Sequence, residues 1–307
     1  MALGENGTGG AAWTAVVFGA DRVTVAEVAR PPAGRPQVLA CETFARAGSE
    51  LETLKRLRKS RRLGRGRCTT LLGEGEYQLV QIDVPANAAQ LAPAELREAL
   101  RWRLKEMVSF PVERAGIDLV EIPGVGGRPP QLWVAIASHD VLQPRIRLFQ
   151  DARIDLAAID IPDLTQRNLA GLFEEASRGL VLLCFDHRGG RLTVSFRGEL
   201  YMTRHIEAGA ADLVAGDAGA LHERVLLDIQ RSLDNFDRNY SAISLTRLVV
   251  GPLPGGEAFF DYLRANLALP LVEANLAEAF DCGAAADLTD CAAQAEGWLA
   301  LGAALRD

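Results

Sequence analysis

From Trp13 onward, short apolar runs alternate with turns that carry glycine or proline, and the apolar spacing switches between two and about 3.6 residues. Residues 13–18 and 23–29 read as two strands joined at 19–22, and 37–46 as a third beyond the loop PPAGRP. Residues 49–62 carry Leu51, Leu54 and Leu57 at helical spacing, with Ser49 placed to cap the helix. Strands follow at 68–72 and 78–84, around the turn GEGE. Pro93 and Pro111 then bracket a helix. Strands at 117–122 and 131–138 flank PGVGGRPP, and a helix (140–152), a strand (154–161) and a helix (164–176) complete the half.

The second half opens the same way. Strands at 180–185, 191–197 and 199–207 turn at DHRGG and RG, and a long amphipathic helix covers 217–241. A strand at 245–251 ends in GPLPGG, a helix (257–267) and a short strand (271–274) follow, and an Ala- and Leu-rich helix fills 291–306. Three strands, two tight turns and a helix, repeated, predict two similar α/β domains side by side, with ligands in the cleft between them. Residues 1–12 read as a flexible tail.

The chain has 307 residues, 49% hydrophobic and 24% charged, enough for about two self-sufficient cores. A net charge of −7 argues against general nucleic-acid binding. The five cysteines (Cys41, Cys68, Cys184, Cys282, Cys291) are scattered without paired spacing, which predicts reduced thiols and a cytoplasmic setting. No run approaches the ~18 apolar residues of a membrane span. The N-terminus lacks the basic and apolar regions of a signal peptide.

Common catalytic motifs are missing. There is no Walker A pattern and no G-x-S-x-G elbow. GVGG at 124–127 joins two strands and reads as a hairpin turn. Cys184 and His187 are half of a metal pair, with no second pair at a suitable spacing, so no metal is expected. Glu174 and Glu175 are adjacent on a helix and point to different faces. The run KRLRKSRRLGRGR (55–67) carries eight basic residues and no acid. It reads either as a solvated helix face or, through Arg58, Lys59, Arg61 and Arg62, as a patch facing anionic lipid or an acidic partner. Its lack of aromatic residues disfavours nucleic acid.

Three segments, ELREALRWRLKEMVSFPVERAGIDLVEIP (95–123), LLDIQRSLDNFDRNY (226–240) and AEGWLALGAALR (295–306), with the order of elements between them, resemble the PilM family of type IV pilus assembly proteins. The resemblance is closer to the MshI-type relatives of mannose-sensitive haemagglutinin (MSHA) pilus biogenesis. It implies an actin-like, duplicated ribonuclease H-like fold related to FtsA. Domain I would span 13–177 with an inserted subdomain at about 86–155, and domain II 178–307, its final helix packing back toward domain I. In that fold two strand–turn–strand hairpins bind phosphates and a Gly-Gly loop holds adenosine.

Against the family's first hairpin, the metal-side Asp falls on Val17 and the Lys on Thr24, with Gly19 kept. Against the second, the Asp falls on Cys184 and a Gly on Asp186; a register two residues later returns Asp186 to the acid's place. Val17 cannot hold a hydrated Mg²⁺, and Asp186 repels a phosphate tail. The expectation is therefore a vestigial cleft (Gly19, Asp186, Gly255, Gly256), no cofactor and no ATPase activity. The implied role is a cytoplasmic scaffold, peripheral at the inner membrane, that binds the cytoplasmic tail of a PilN-like partner among other platform components. The alternatives are an ATP-binding PilM-type protein gated by Mg-ATP, a GspL-like component of type II secretion, and a sugar-kinase-like enzyme whose catalytic Asp has no evident position.

Within the bracketed helix, Leu96, Leu100, Leu104 and Met107 form one apolar stripe. Trp102 falls off it, among Glu95, Glu98, Lys105 and Glu106. It reads as packing on the neighbouring subdomain or as lining the groove where PilM-like proteins hold a partner peptide. Arg101, Lys105 and Phe110 are the accompanying partner-binding candidates.

Overall fold

A computed structural model describes residues 12–46, 48–60, 63, 67–85, 88, 91–283 and 286–306. Most of the expected tail, and Arg61 and Arg62 of the basic run, lie outside the described residues. Strands β1 (Trp13–Phe18), β2 (Arg22–Ala29) and β3 (Gln37–Ala45) form an antiparallel meander. Helix α1 (Glu50–Lys59) carries the chain to β4 (Arg67–Leu71), which lies parallel to β1. The chain then leaves the sheet for β5 (Gln78–Asp83), α2 (Pro93–Leu104), β6 (Ala115–Ile122), β7 (Gln131–Ser138) and α3 (His139–Asp151). It returns with β8 (Leu156–Asp160), parallel to β4, which completes the order β3-β2-β1-β4-β8.

Helix α4 (Pro162–Ala170) leads into the second half, where β9 (Gly179–Phe185), β10 (Gly190–Phe196) and β11 (Glu199–Ile206) repeat the meander. The rest of the half comprises α5 (Ala210–Leu213), α6 (Gly219–Tyr240), β12 (Leu245–Val250), α7 (Glu257–Asn266), β13 (Leu271–Glu273), α8 (Leu276–Ala279) and α9 (Cys291–Ala304). The sheet order β11-β10-β9-β12-β13 repeats that of the first sheet position for position.

The first sheet is covered on both faces, so β1 is apolar nearly throughout. Trp13 and Ala15 share a core with Trp298 and Leu301 of α9, while Val16 meets Leu54 of α1 and Phe149 of α3. Helix α9 packs on β1, β2 and α4. Gly302 permits the crossing of α4, since a Cβ there would stand 2.6 Å from the Thr165 carbonyl oxygen.

The third sheet has the order β5-β7-β6 and alternates cleanly between two cores. Leu132, Val134 and Ile136 face Leu100 and Leu104 of α2. Trp133 and Ile122 point the other way, into the core of domain II. This sheet takes in β5, which precedes the expected start of the insert at 86. Helix α3, inside the expected bounds, packs both on β6 and β7 of the third sheet and on α1, and lends Phe149 to domain I. The helix expected to run toward Pro111 ends at Leu104, so Met107 leaves the apolar stripe and is 46% exposed.

Candidate functional site

The β1–β2 and β9–β10 turns face a shared cleft of about 900 Å³ between the two domains. Val17, Leu71, Cys184, Leu253 and Trp298 contribute apolar wall, and Gly19 and Asp186 both line it. Gly255 and Gly256 lie just past the wall formed by Pro252, Leu253 and Pro254. Gly255 adopts a φ of +75°, and Gly256 precedes α7. Gly251 has a packing reason of its own: a Cβ there would meet the Cys184 sulfur at 2.8 Å.

Each hairpin satisfies its own turn. In the first, the Gly19 amide donates to the Arg22 carbonyl at 2.9 Å, and the Arg46 guanidinium donates to the Ala20 carbonyl at 3.0 Å. Val17 stands opposite Thr24 in the ladder. In the second, the Asp186 carboxylate accepts from the amides of Arg188 (2.7 Å) and Gly189 (3.1 Å). Turn amides of this kind are what a phosphate would bind. Cys184 stands opposite Arg191, and burial pushes its thiol well above the ordinary range.

A charged cluster crosses from one domain to the other. Arg191 of β10 donates to Asp163 of α4 and to Glu74 of the β4–β5 loop, each at 2.7 Å. Asp163, 2% exposed, also accepts from Thr203 at 2.6 Å and from the Tyr77 hydroxyl. Burial, and then the Asp163 charge, raises the Tyr77 phenol. Glu296 pairs with Arg22, and Glu76 with Arg145 at 3.3 Å. Asp160, at the end of β8, accepts from Arg306 and from the Ile161 amide, each at 2.8 Å; burial nevertheless raises its carboxyl.

Sequence reasoning missed this cluster. The available signal was Arg191 itself, the one charge in the strand GRLTVSF, because a charge at such a place calls for a buried partner. Among the described residues no group of three or more His, Cys, Asp or Glu is placed to hold a metal ion. Cys184 is buried in β9 while His187 sits exposed in the turn.

The partner-binding candidates divide. Trp102 is 82% exposed on α2, and neither it nor Lys105 lines the interdomain cleft. Trp102 is thus not packed on a neighbouring subdomain. Its neighbours in sequence serve the insert: the Arg101 guanidinium donates to the carbonyls of Val112 and Ala115, and Phe110 packs on the α2 core. Lys105 is exposed at the end of α2. On α1, Arg58 and Lys59 are exposed. Among the described residues no helix is long and apolar enough to cross a membrane.

Two sheets of one strand order in tandem, hairpins facing across the cleft and a third sheet inserted after β4 define an actin-like fold. The chain is similar to a chain of the PilM–PilN type IV pilus biogenesis complex, with 20% identity, 95% of this chain and 97% of that chain covered, and a TM-score of 0.73. Weaker likenesses extend to a Bacteroides thetaiotaomicron protein with an actin-like ATPase fold (11% identity, 91% and 96% covered, TM-score 0.49). They also include the cytoplasmic domain of EpsL, an inner membrane component of the type II secretion system of Vibrio cholerae (13% identity, 67% and 76% covered, TM-score 0.44). No protein-family model and no curated protein matches the sequence.

Proposed function

We propose that this protein is a PilM-like scaffold of a type IV pilus assembly platform, of the MSHA (MshI) kind, with a degenerate nucleotide site. It binds the cytoplasmic tail of a PilN-like membrane-anchored partner and so works at the cytoplasmic side of the inner membrane. The observation that carries this reading is the likeness over nearly the full length of both chains to a component of the PilM–PilN complex. The scaffold reading is supported by the carboxylate of Asp186 on the turn amides and by the pairing of Glu74, Glu76 and Glu296 with arginines, which leaves these carboxylates engaged rather than poised as a base.

Trp102 is the residue we place at the partner contact. Large aromatics are enriched among interface anchors, and truncating such an anchor costs about 2 kcal/mol or more of binding, roughly 30-fold in affinity. The test is a titration with the N-terminal peptide of the membrane-anchored protein encoded beside this one, against the parent and Trp102→Ala. We expect the parent to bind and the variant, checked by circular dichroism, to bind at least tenfold more weakly, a drop of about 1.4 kcal/mol. A parent that does not bind overturns the function; a variant that binds like the parent overturns the placement of Trp102.

A further inference from the structure

We propose that the outer face of α1 is a contact surface for an anionic lipid bilayer. The inner face of this helix is committed to domain I: Thr53, Leu54 and Leu57 are buried beneath it. The outer face carries Lys55, Arg58 and Lys59, all exposed. Among the described residues, neither the Arg58 nor the Lys59 side chain has an ion-pair or hydrogen-bond partner. Arg56 is drawn back to the chain by its bond to the Ala45 carbonyl, so it is not counted in the surface.

Helix stability does not account for this charge. The end of a helix presents about half a negative charge, which one or two basic side chains complement. The stretch 55–67 carries eight, on a chain whose net charge is −7, so the remainder of the molecule stands at −15. Two of the chain's three lysines, Lys55 and Lys59, lie in it. A chain this acidic overall is repelled by an anionic plane, and the exposed Lys55, Arg58 and Lys59 favour the orientation in which α1 faces it.

The occupant follows from what the face lacks. None of Lys55, Arg58 and Lys59 lines the interdomain cleft. The large apolar side chains exposed among the described residues are Leu39, Trp102, Met107, Val214, Leu227 and Val272, none of them on α1. A peptide anchor or a stacked base would have little to grip. Diffuse attraction to a charged leaflet needs neither pocket nor anchor and yields ~1 kcal/mol per basic residue near the surface.

Flotation of the full chain with vesicles tests this. The vesicles are phosphatidylcholine alone, or equal parts phosphatidylcholine and phosphatidylglycerol, at low and at raised salt. We expect recovery on the anionic vesicles alone, lost as salt rises. The Lys55→Gln, Arg58→Gln, Lys59→Gln triple variant should bind about a hundredfold more weakly, from three such residues together. Equal recovery on both vesicles, none on either at low salt, or a folded triple variant that floats like the parent would overturn the proposal. So would binding to poly-glutamate or duplex DNA at a salt concentration where anionic vesicles fail to retain the protein. Trp102 lies on α2 in the insert, so the peptide titration and the flotation can fail independently.

Discussion

Asp186 turns its carboxylate onto the amides of Arg188 and Gly189, and the resemblance to the PilM family puts Val17 and Cys184 at the places of that family's metal-side acids, which together motivate the proposal of a degenerate nucleotide site. A ligand present at 100-fold its Kd would raise stability by about 2.7 kcal/mol. We expect millimolar Mg-ATP to leave the melting curve unchanged. A clear rise that Asp186→Ala abolishes would instead make Asp186 a ligand-binding acid and remove the degenerate reading. A second residue gives a pH signature. The Cys68 thiol is buried and pushed up to about 12, by burial first and then by the Asp155 charge. Its folded value lies above the unfolded ~8.5, so the stability gained from burying the neutral thiol is complete below about pH 8.5 and falls as pH rises toward the folded value. From about pH 8.5 to 10 this removes roughly 2 kcal/mol. Urea midpoints across that range should decline less steeply in Cys68→Ala than in the parent; parallel declines would refute it.

At the scale of elements, what the sequence discloses depends on how local the cause is. The start of α1 was legible because its capping box lies within four residues: the Ser49 amide donates to the Glu52 carboxylate at 2.9 Å, and the Glu52 amide to the Ser49 hydroxyl at 3.2 Å. The end of α2 was not. Apolar spacing continues through Met107, but the chain breaks away after Leu104, and the Arg101 guanidinium holds the carbonyls of Val112 and Ala115, eleven and fourteen residues on. The assignment of β5 was hidden for the same reason, since its partner β7 lies fifty residues downstream and its alternation would suit either sheet. Helices α5 and α8, four residues each, are too short to show a period. The turn glycines of the cleft could be read directly. Arg191 and Asp163 could not, because each alone resembles a surface charge.

At the scale of the molecule, the insert and the charged cluster tie the two domains at separate places. Trp133 of β7 donates to the Leu200 carbonyl of β11 at 2.8 Å, and Arg128 stacks 4.8 Å over the Tyr240 ring of α6. On the cleft side, Arg191 bridges Asp163 and Glu74. Arg191→Met deletes that cation and leaves the Asp163 charge buried. Removing one partner of a buried pair costs ~3–5 kcal/mol. Because the Tyr77 and Thr203 hydroxyls still donate to Asp163, we expect the low end, about 3 kcal/mol, in urea unfolding followed by tryptophan fluorescence. Trp298, buried at the cleft wall, supplies a local reporter. Adding Asp163→Asn should recover part of the loss, since a neutral amide needs no counter-charge. A loss below about 1 kcal/mol, the worth of an exposed pair, would show that the cluster is not what fastens the domains at the cleft. A double variant no more stable than Arg191→Met would show that the uncompensated charge is not the source of the loss.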